Sequence, residues 1–489
     1  MENLSLHEIK QYAGTYTLVP LCRTLYADLR TPLEVLRLVQ TLTKHCYLLE
    51  SMEDTDRWGR YTFIGYDPAL GLSCKNGVVR FTGEREETIR TDTPQDLIRQ
   101  VVEANRAPRL KGLPPFVGGL VGYFAYDFIQ YAEPSLQLRA EDDAGFNDFD
   151  LMLFHKVIVF DHLRQKLFLI VNVRTGQADT AYEKALAELD RMEALLHEGQ
   201  PARPEPLQLD GDFEALFSKN DYCRMVEKGK THIVEGDIFQ VVLSNRMSVK
   251  ATGSLLDTYR VLRTLNPSPY MFYFSGDDIE MAGASPETLT RLEDGSLFTF
   301  PLAGSRPRGK TRAEDQALEA DLLHNTKELA EHNMLVDLGR NDLGRISRIG
   351  SVHVEEYLNV LRFSHIMHLG STVRGQIRED KSAVDAILSV LPAGTLSGAP
   401  KIRACQIIDE LEGHKRGIYG GAIGYIDFTG NMDCCIGIRL AYKKKDRLYV
   451  CSGAGIVADS IPEQEYQECI NKAKAVILAI RQAEGGIDA

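Results

Sequence analysis

The stretch 419-YGGAIGYIDFTGNMDCCIGIRLAYKKKDRLYVCSGAGIV-457 contains three apolar segments separated by short polar turns. The segments are 419–428, 433–442 and 447–457, and Gly, Asn, Lys and Asp fill the gaps between them. Short apolar runs bounded by such residues are typical of strands joined by tight turns. The stretch therefore predicts a three-strand antiparallel meander.

Further strands and helices surround this stretch. Residues 156–173 predict two apolar strands around a polar turn, and 279–306 predict a hairpin with Asp294-Gly295 as its turn. The segment Thr31-Pro32-Leu33-Glu34 predicts a helix start with a capping box. Other helices are expected at 181–197, 219–235, 313–338, 381–391 and 401–411. Because no βαβ rhythm is present, the predicted class is α+β, with large, mostly antiparallel sheets covered by helices.

One segment is typical of a linker. Residues 198–212 (EGQPARPEPLQLDGD) carry three prolines and follow a helical stretch. We expect an N-terminal region at 1–198, a linker at 199–212 and a second region at 213–489.

Composition excludes several classes of function. The 489 residues carry 56 basic and 69 acidic side chains, a net charge of −13, which argues against nucleic acid or an anionic membrane as the partner. The nine cysteines are odd in number and form no C-x-x-C pair, so reduced thiols in a cytoplasm are expected. No apolar run approaches the roughly 18 residues that a membrane span needs, and no secretory signal pattern begins the chain.

Two E-x-x-E pairs, Glu328/Glu331 and Glu465/Glu468, each place two carboxylates on one helix face. Such a pair can bind a hard cation, and oxygen-only ligands favour Mg²⁺ over zinc. The alternative is an ordinary solvated helix face, because the same spacing is common on helix surfaces.

Two further features allow more than one interpretation. The segment 451–458 matches G-x-G-x-x-A, but the Asp and Pro that follow argue against the helix start that a dinucleotide site requires. The segment therefore predicts one of two structures: a turn whose backbone N–H groups bind a carboxylate, or a tight turn that binds no ligand. Arg439 lies in an apolar strand, where an unpaired guanidinium is costly. It must therefore pair with an internal carboxylate or with a ligand carboxylate.

Several specific motifs occur together and in order. They are FQVVLS at 239–244, GASPE at 283–287, PLAGSRPRG at 301–309, KELAEH at 327–332, LVDLGRND at 335–342, LPAGTLSGAPK at 391–401, YGGAIGY at 419–425 and CSGAGIV at 451–457. In these motifs the chain resembles the chorismate-utilising enzymes, most closely their anthranilate-forming branch. The resemblance covers the chain from about residue 221 onward and is thinner upstream, where YLLESM at 47–52 and RYTFIG at 60–65 carry it.

The resemblance implies a four-layer α/β/β/α fold and a Mg²⁺-dependent lyase whose catalytic region is 213–489. Ammonia would add to C2 of chorismate, the C4 hydroxyl would leave with help from Glu287 as acid, and His368 would act as base while pyruvate is eliminated. The product would be anthranilate, the first intermediate of tryptophan biosynthesis. Magnesium would bind Glu331 and Glu468, with Glu328 and Glu465 holding its waters. The residues expected to hold the substrate are Gly304, Ser305, Thr395, Tyr419, Arg439, Gly453, Ala454, Gly455 and Lys472.

Two positions distinguish branches of this family. Relatives that add water carry a lysine at the position of Gln240, whereas a glutamine cannot act as a base and suits ammonia. Aminodeoxychorismate synthases carry a nucleophilic lysine at the position of Ala303. Ser305 replaces a more usual threonine but keeps the hydroxyl. Gly370 departs from a more usual apolar residue, and the sequence offers no functional reason for it.

The resemblance also implies regulation and a partner. L-Tryptophan would bind as a feedback inhibitor through two segments, 48–51 and 266–271, and the contact residues would be Glu50, Ser51, Pro269, Tyr270 and Met271. Without the resemblance these segments predict only a strand end and a proline-rich turn. No glutaminase sequence follows the synthase motifs, so we expect a separate glutamine amidotransferase subunit and a hetero-oligomer of two plus two subunits. The alternatives are a different chorismate enzyme, such as an aminodeoxychorismate or aminodeoxyisochorismate synthase, and a non-catalytic tryptophan-sensing subunit.

Overall fold

A computed structural model of the chain describes residues 4–52, 59–362 and 366–488. In chain order its strands are β1 (Leu18–Tyr26), β2 (Cys46–Glu50), β3 (Tyr61–Tyr66), β4 (Leu70–Lys75), β5 (Val78–Gly83), β6 (Glu87–Arg90), β7 (Gly119–Phe124), β8 (Phe149–Phe154), β9 (Lys156–Asp161), β10 (Lys166–Arg174), β11 (Gln208–Ala215), β12 (Gln240–Thr252), β13 (Tyr270–Ser275), β14 (Ile279–Ser285), β15 (Thr288–Glu293), β16 (Ser296–Thr299), β17 (Leu302–Pro307), β18 (His353–Arg362), β19 (Ile366–Gln376), β20 (Gly398–Ala399), β21 (Ala422–Asp427), β22 (Met432–Ile436), β23 (Leu440–Lys444) and β24 (Arg447–Ile456).

The helices surround these strands. In chain order they are α1 (Leu6–Gln11), α2 (Pro32–Val39), α3 (Pro94–Glu103), α4 (Ala178–Glu198), α5 (Lys219–Val234), α6 (Leu256–Leu265), α7 (Arg312–His324), α8 (Thr326–Gly344), α9 (Ala383–Val390), α10 (Lys401–Glu412) and α11 (Pro462–Ala483). A short 3₁₀ turn at Gly394–Leu396 precedes α10. None of the helices in the described ranges is long and apolar enough to cross a membrane.

The strands form two twelve-stranded antiparallel sheets. The first has the order β1-β10-β9-β3-β2-β13-β14-β23-β24-β12-β11, with β20 paired to β12. The second has the order β17-β19-β16-β15-β22-β21-β7-β8-β4-β5-β6, with β18 paired to β19. Strands from both sides of residues 199–212 share both sheets. Both sheets therefore contain strands from both predicted regions. Whether the two regions fold independently stays a prediction.

The two sheets pack face to face, and aromatic side chains fill the space between them. Tyr47 of β2 and Phe154 of β8 have ring centroids 4.8 Å apart, and Phe63 of β3 lies 6.0 Å from Tyr425 of β21. On the outer faces, apolar residues of α4 and α11 pack on the first sheet, and those of α8 and α9 pack on the second. The predicted α+β class with four layers is therefore confirmed.

The predicted three-strand meander is wrong, because its middle segment is two strands in different sheets. β22 lies in the second sheet and β23 in the first, and the chain crosses between them at residues 437–439. A left-handed Arg439, with φ of +53°, makes the corner. A sequence of alternating small and apolar residues does not distinguish a continuous strand from one that changes sheet at such a corner.

Other local predictions can be compared directly. The turn at Asp294-Gly295 is confirmed, with φ of +47° and +81°, as a type I′ turn requires. The hairpin itself is shorter than the predicted 279–306, because it joins only β15 and β16, while β14 belongs to the first sheet and β17 pairs with β19. The capping box of Thr31 and Glu34 is confirmed at the start of α2. The single helix predicted at 313–338 is wrong in one respect, because Asn325 interrupts it. The Asn325 side chain accepts hydrogen bonds from the first turn of α8, so it caps a new helix.

Candidate active site

Two chain crossings between the sheets lie side by side and carry two predicted site residues. Glu287 lies between β14 of the first sheet and β15 of the second, and Arg439 lies on the return crossing. The crossings are joined by backbone hydrogen bonds, from Ile436 N to Glu287 O at 3.0 Å and from Ala284 N to Arg439 O at 3.0 Å. The hydroxyl of Ser285 adds a bond to Ile436 O at 2.8 Å. Both side chains are therefore fixed by sheet geometry rather than by a free loop.

The Glu287 carboxyl is held in a poorly solvated position. Thr395 Oγ1, on the 3₁₀ turn, donates to Glu287 Oε1 at 2.8 Å. Burial raises the pKa of Glu287 to about 7, although the Thr395 hydrogen bond and the charge of Lys472 act in the opposite direction. A carboxyl with such a pKa can hold a proton near neutral pH and donate it to a leaving group.

His368 lies on β19, where it pairs with Ser305 of β17. Its Nδ1 lies 2.9 Å from the carbonyl oxygen of Gly304. A carbonyl oxygen only accepts, so Nδ1 carries the proton and Nε2 is the basic nitrogen of the neutral ring. Burial lowers the pKa of His368, with a smaller contribution from the charge of Arg439, although the Gly304 hydrogen bond and the charge of Glu328 act in the opposite direction. The ring is therefore neutral at physiological pH, as a general base must be.

Gly304 occupies a bulge in β17 that only glycine fits. The register with β19 shifts between Ala303 and Ser305, and Gly304 has φ of +69°. A Cβ here would lie 3.0 Å from Glu328 Oε2 and 3.1 Å from Leu322. The bulge therefore brings β17 against α8, the helix that carries the first glutamate pair.

Gln240 and the glycines of β24 face one another across two paired strands. Gln240 is buried, and a Cβ at Gly455 would lie 2.8 Å from its Nε2. Its buried Oε1 has no hydrogen-bond partner among the residues that the structure describes. An acceptor in this state is costly, so an incoming N–H group that reached it would be bound favourably.

Further substrate-binding candidates lie around the middle of α11, near Lys472. Tyr419 is buried, and its Oη lies 2.9 Å from where a Cβ of Gly453 would be. Lys472 Nζ contacts Gly453 O at 3.1 Å, and Arg439 Nη1 donates to Lys472 O at 2.9 Å. Burial lowers the pKa of Arg439. The cation is thus poorly solvated, which favours pairing with a ligand carboxylate.

An open depression of about 500 Å³ lies here, lined by Arg439, Gln464, Gln467, Glu468, Asn471 and Lys472. Ala454 lies fully buried between the two glycines and Ser305 is exposed on β17. The predicted substrate-binding residues thus lie on the crossing at Arg439, on the 3₁₀ turn with Thr395, before β21 with Tyr419, on β24 and α11, and at the bulge of β17.

The four predicted metal ligands come from two helices whose charges interact. Glu328 pairs with Arg306 at 3.0 Å, and Glu468 pairs with Lys472 at 2.7 Å. Burial raises the pKa of Glu331, and the charges of Glu328 and Glu468 raise it further. Burial and the charge of Glu468 likewise raise the pKa of Glu465. Two pairing cations for four carboxylates leave excess negative charge, which fits a divalent cation bound by oxygen atoms.

The ligand atoms of these glutamates are not preassembled. A metal ion needs several ligand atoms close together. Within the described ranges, one group of three such side chains has its ligand atoms within 4.8 Å of one another, namely His232, Glu235 and Asp237 at the end of α5. There Asp237 already pairs with His232 at 2.8 Å and with Arg403 at 2.6 Å. That group is therefore an ion-pair cluster at the end of a helix, and it does not replace the predicted glutamates.

All five predicted inhibitor-contact residues line one cavity of about 500 Å³ between the sheets. Glu50 ends β2 and pairs with Met271 of β13, so the two segments are neighbours in the first sheet. The Glu50 carboxylate is buried and engaged by Tyr259 Oη at 2.6 Å and by Arg263 Nε at 2.6 Å. Through these contacts Glu50 anchors this wall of the cavity, and Ser51 follows it at the strand end.

The sequence did not identify several residues of this cavity. They include the cations Arg60, Arg109, Arg164 and Arg291 and the aromatic residues Tyr61, Phe63 and Tyr425. The RYTFIG motif gave a signal for Arg60, Tyr61 and Phe63, and the YGGAIGY motif gave one for Tyr425. The other members come from loops and strands far apart in sequence, so no local pattern joins them.

Comparison with known proteins gives matches along nearly the full length. A family model described as chorismate binding enzyme matches residues 44–478. Anthranilate synthase component 1 of Acetivibrio thermocellus is 44% identical over 98% of this chain and 98% of that protein. The corresponding protein of Pseudomonas aeruginosa is 44% identical over 97% of this chain and 98% of its own length. The solved structure of anthranilate synthase component I from Streptococcus pneumoniae TIGR4 has a TM-score of 0.77 and 37% identity, and covers 93% of this chain and 99% of that chain.

Proposed function

The chain belongs to the chorismate binding enzyme family, with anthranilate synthase component 1 proteins as full-length relatives, and from this we propose that it converts chorismate and ammonia to anthranilate and pyruvate. The observation that carries the proposal is the buried carboxamide of Gln240 beside Gly455. A glutamine cannot deprotonate water, whereas ammonia is already a competent nucleophile. Its orphan Oε1 can accept a hydrogen bond from that ammonia.

In the first half of the reaction, a C–N bond forms at C2 and the C4–O bond breaks. Hydroxide is a poor leaving group, so Glu287 donates its proton and the C4 oxygen leaves as water, while the added nitrogen loses one proton, which balances the one that the acid gave up. The burial of Glu287 supports this role, because it raises the pKa to about 7 and keeps the proton available. Thr395 orients the acid by donating to its other oxygen.

In the second half, the ring loses its C2 proton, the C3–O bond breaks, and the enolpyruvyl group leaves as enolpyruvate, which takes up a proton to become pyruvate. His368 accepts the ring proton through Nε2, since Nδ1 donates to Gly304 O. The ring then gains aromaticity, which drives the elimination. The lowered pKa of His368 supports a neutral ring that is ready to act as base.

The substrate carboxylates require positive or N–H groups. We assign the enolpyruvyl carboxylate to Arg439, Tyr419 and the Gly453–Gly455 backbone, with Gly304, Ser305 and Lys472 completing the pocket. Mg²⁺ bound by Glu331 and Glu468, with Glu328 and Glu465 holding its waters, would neutralise the ring carboxylate and fix the ring. The excess negative charge of these four residues supports that assignment.

We also propose the cellular context of the reaction. Ammonia would come from a separate glutamine amidotransferase subunit in a complex of two plus two subunits, and free ammonium would replace that subunit in vitro. L-Tryptophan would bind in the cavity that Ser51 and Tyr270 line, and would lower chorismate affinity through a reciprocal coupling. A cytoplasmic location is consistent with nine cysteines that are all free thiols.

The test is to mix the purified protein with chorismate, Mg²⁺ and ammonium and to follow anthranilate fluorescence and pyruvate together. The proposal expects equal amounts of both products, and a signal that needs Mg²⁺ and ammonium. Chorismate consumed without anthranilate would instead identify another chorismate enzyme from its product. No consumption, together with tryptophan binding, would identify a non-catalytic sensor.

A further inference from the structure

A buried ion pair lies beneath the candidate active site. The side chains of Arg416 and Glu412 are 2% and 4% exposed, and Arg416 Nη2 lies 2.5 Å from Glu412 Oε1. Nε of the same guanidinium donates to Glu412 Oε2 at 2.9 Å. A buried pair of this kind stabilises a fold little compared with apolar residues of similar volume, because both charges must be desolvated. The role of this pair is therefore inferred from the groups to which it hydrogen-bonds.

Arg416 donates to two backbone carbonyls that belong to the site. Nη1 donates to Leu396 O at 2.6 Å, and Leu396 ends the 3₁₀ turn that carries Thr395. Nη2 donates to Val242 O at 2.7 Å, and Val242 lies two residues after Gln240 in β12. One rigid guanidinium thus joins the turn that orients the acid to the strand that carries the carboxamide.

Glu412 extends the same network along β12. Its oxygens accept from Ser244 N at 2.7 Å and from Ser244 Oγ at 3.1 Å. Ser244 pairs with Gly453, and Val242 pairs with Gly455 in the neighbouring strand. The guanidinium carbon also lies 5.9 Å from the ring centroid of Tyr419. The pair therefore contacts the strand behind the glycines and a second candidate substrate-binding residue.

We propose that Arg416, held by Glu412, is a positioning residue that sets Thr395 against Glu287 and fixes Gln240 relative to the β24 glycines. This role rests on the proposed function, because it is a role in that reaction. The planar fork of arginine makes the four directed bonds, whereas a lysine cannot reproduce their geometry. Because a displacement of about 1 Å can cost about 100-fold in rate, a small shift of the turn is enough to matter.

A merely structural role and a positioning role predict different results. If the pair only stabilises the fold, its loss lowers the melting temperature and leaves kcat per folded molecule unchanged. If it positions the turn, its loss lowers kcat and weakens the bond from Thr395 to Glu287. That bond and the charge of Lys472, the two groups that act on the Glu287 carboxyl, both lower its pKa. Losing the bond therefore moves the alkaline limb of the kcat profile to higher pH.

The experiment compares Arg416→Lys, Thr395→Val and the double variant with the wild type. Anthranilate formation from chorismate and ammonium is measured from about pH 6 to about pH 9, together with melting temperature. We expect Arg416→Lys to lower kcat by about 10- to 100-fold, with a smaller change in KM and an upward shift of the alkaline limb. In the Thr395→Val background the same change should lower kcat by a clearly smaller factor than in the wild type, because the contact to Glu287 is already lost and only the effect on Gln240 remains. Fully additive effects, or an unchanged kcat with a lower melting temperature, would overturn the proposal.

Two further measurements keep the test decisive. If Arg416→Lys does not fold, Glu412→Gln keeps the shape of the pair and should shift kcat and the pH profile in the same direction; no shift would overturn the proposal. Wild-type turnover tests the proposed function separately. If the wild type forms no anthranilate, the positioning role is tested by hydrogen exchange of the Leu396 and Ser397 amides. These amides donate to Ala393 O and Gly394 O within the turn, so their exchange rates report on its order. Faster exchange in Arg416→Lys supports the positioning role, and unchanged exchange contradicts it.

Discussion

Replacing Glu287 by glutamine removes the proposed acid while keeping the shape of its side chain. In the wild type, Thr395 Oγ1 donates to the Glu287 carboxyl at 2.8 Å. The glutamine amide oxygen can accept the same hydrogen bond, so the turn should stay in place. What is lost is a proton that the leaving C4 oxygen needs. General acid catalysis contributes roughly 10²- to 10⁴-fold, so kcat should fall by about that factor.

The pH profile gives a second, independent result. The pKa of Glu287 is about 7 in the folded protein because the site is poorly solvated. In the wild type, kcat/KM per free ammonia should therefore fall as pH rises through about 7, when the acid loses its proton. The glutamine variant should lose this limb. Rates must be expressed per free ammonia, since the ammonia fraction itself rises with pH.

Stability should change in the opposite direction from activity. The folded pKa of Glu287 is raised from 4.5 to about 7, so the folded state binds more protons than the unfolded state between these values. Stability therefore falls as pH rises through this window, because a charged carboxylate becomes buried. Glu287→Gln removes that penalty and should raise the melting temperature above about pH 7, with the difference vanishing below about pH 4.5.

The assay uses saturating Mg²⁺, ammonium and a range of chorismate concentrations, with pyruvate as a second readout. The matched control is Glu84→Gln, which makes the same chemical change at an exposed position after β5. The control should change neither kcat nor the pH profile. If Glu287→Gln kept turnover within about threefold of the wild type, or kept the alkaline limb, Glu287 would not be the acid.

Three further predictions concern the metal, the inhibitor cavity and an unusual glycine. Glu331→Gln should lower Mg²⁺-dependent turnover by at least about 100-fold. Without Mg²⁺ it should raise the melting temperature, because it removes the burial of a charge and the repulsion from Glu328 and Glu468, which together raise the pKa of Glu331; a lower melting temperature would contradict this. L-Tryptophan at about 100 times its Kd should stabilise the wild type by about 2.7 kcal/mol in thermal unfolding. Ser51→Phe fills the cavity and should abolish this stabilisation. Equal stabilisation of both proteins would exclude binding in this cavity. Gly370→Ala should destabilise the fold by about 1–3 kcal/mol in denaturant unfolding, because its Cβ would lie 2.6 Å from Leu361 Cδ1. The control Gly344→Ala, with nothing within 4 Å, should not destabilise it, so equal effects of the two alanines would refute the packing argument.

Local signals in the sequence were enough to predict the elements that local chemistry controls. The Asp294-Gly295 turn and the Thr31 capping box are set by residues within four positions of each other, and both are found in the structure. The break at Asn325 is also local, but an asparagine inside an apolar-periodic helix is not by itself a stop signal. The fold class followed from the absence of a βαβ rhythm.

The parts that the sequence did not predict depend on contacts far apart in the chain. Arg439 turns the chain between sheets, and only the pairing of β22 and β23 with different neighbours reveals it. Gly370 has a packing reason, because Leu361 of the adjacent strand occupies the space that a side chain would need. Arg416 reaches carbonyls about 20 and 174 residues away, at Leu396 and Val242, so its role could not be predicted from spacing.

The central claim is that nitrogen enters the ring as ammonia at this site. It is tested most directly by single-turnover incubation of the purified protein with chorismate, Mg²⁺ and ¹⁵N-labelled ammonium, followed by mass analysis of the aromatic product and of pyruvate. The account predicts anthranilate that carries one ¹⁵N atom, formed in equal amount with pyruvate. A chorismate-derived product without ¹⁵N, or an aminated product without pyruvate, would contradict it.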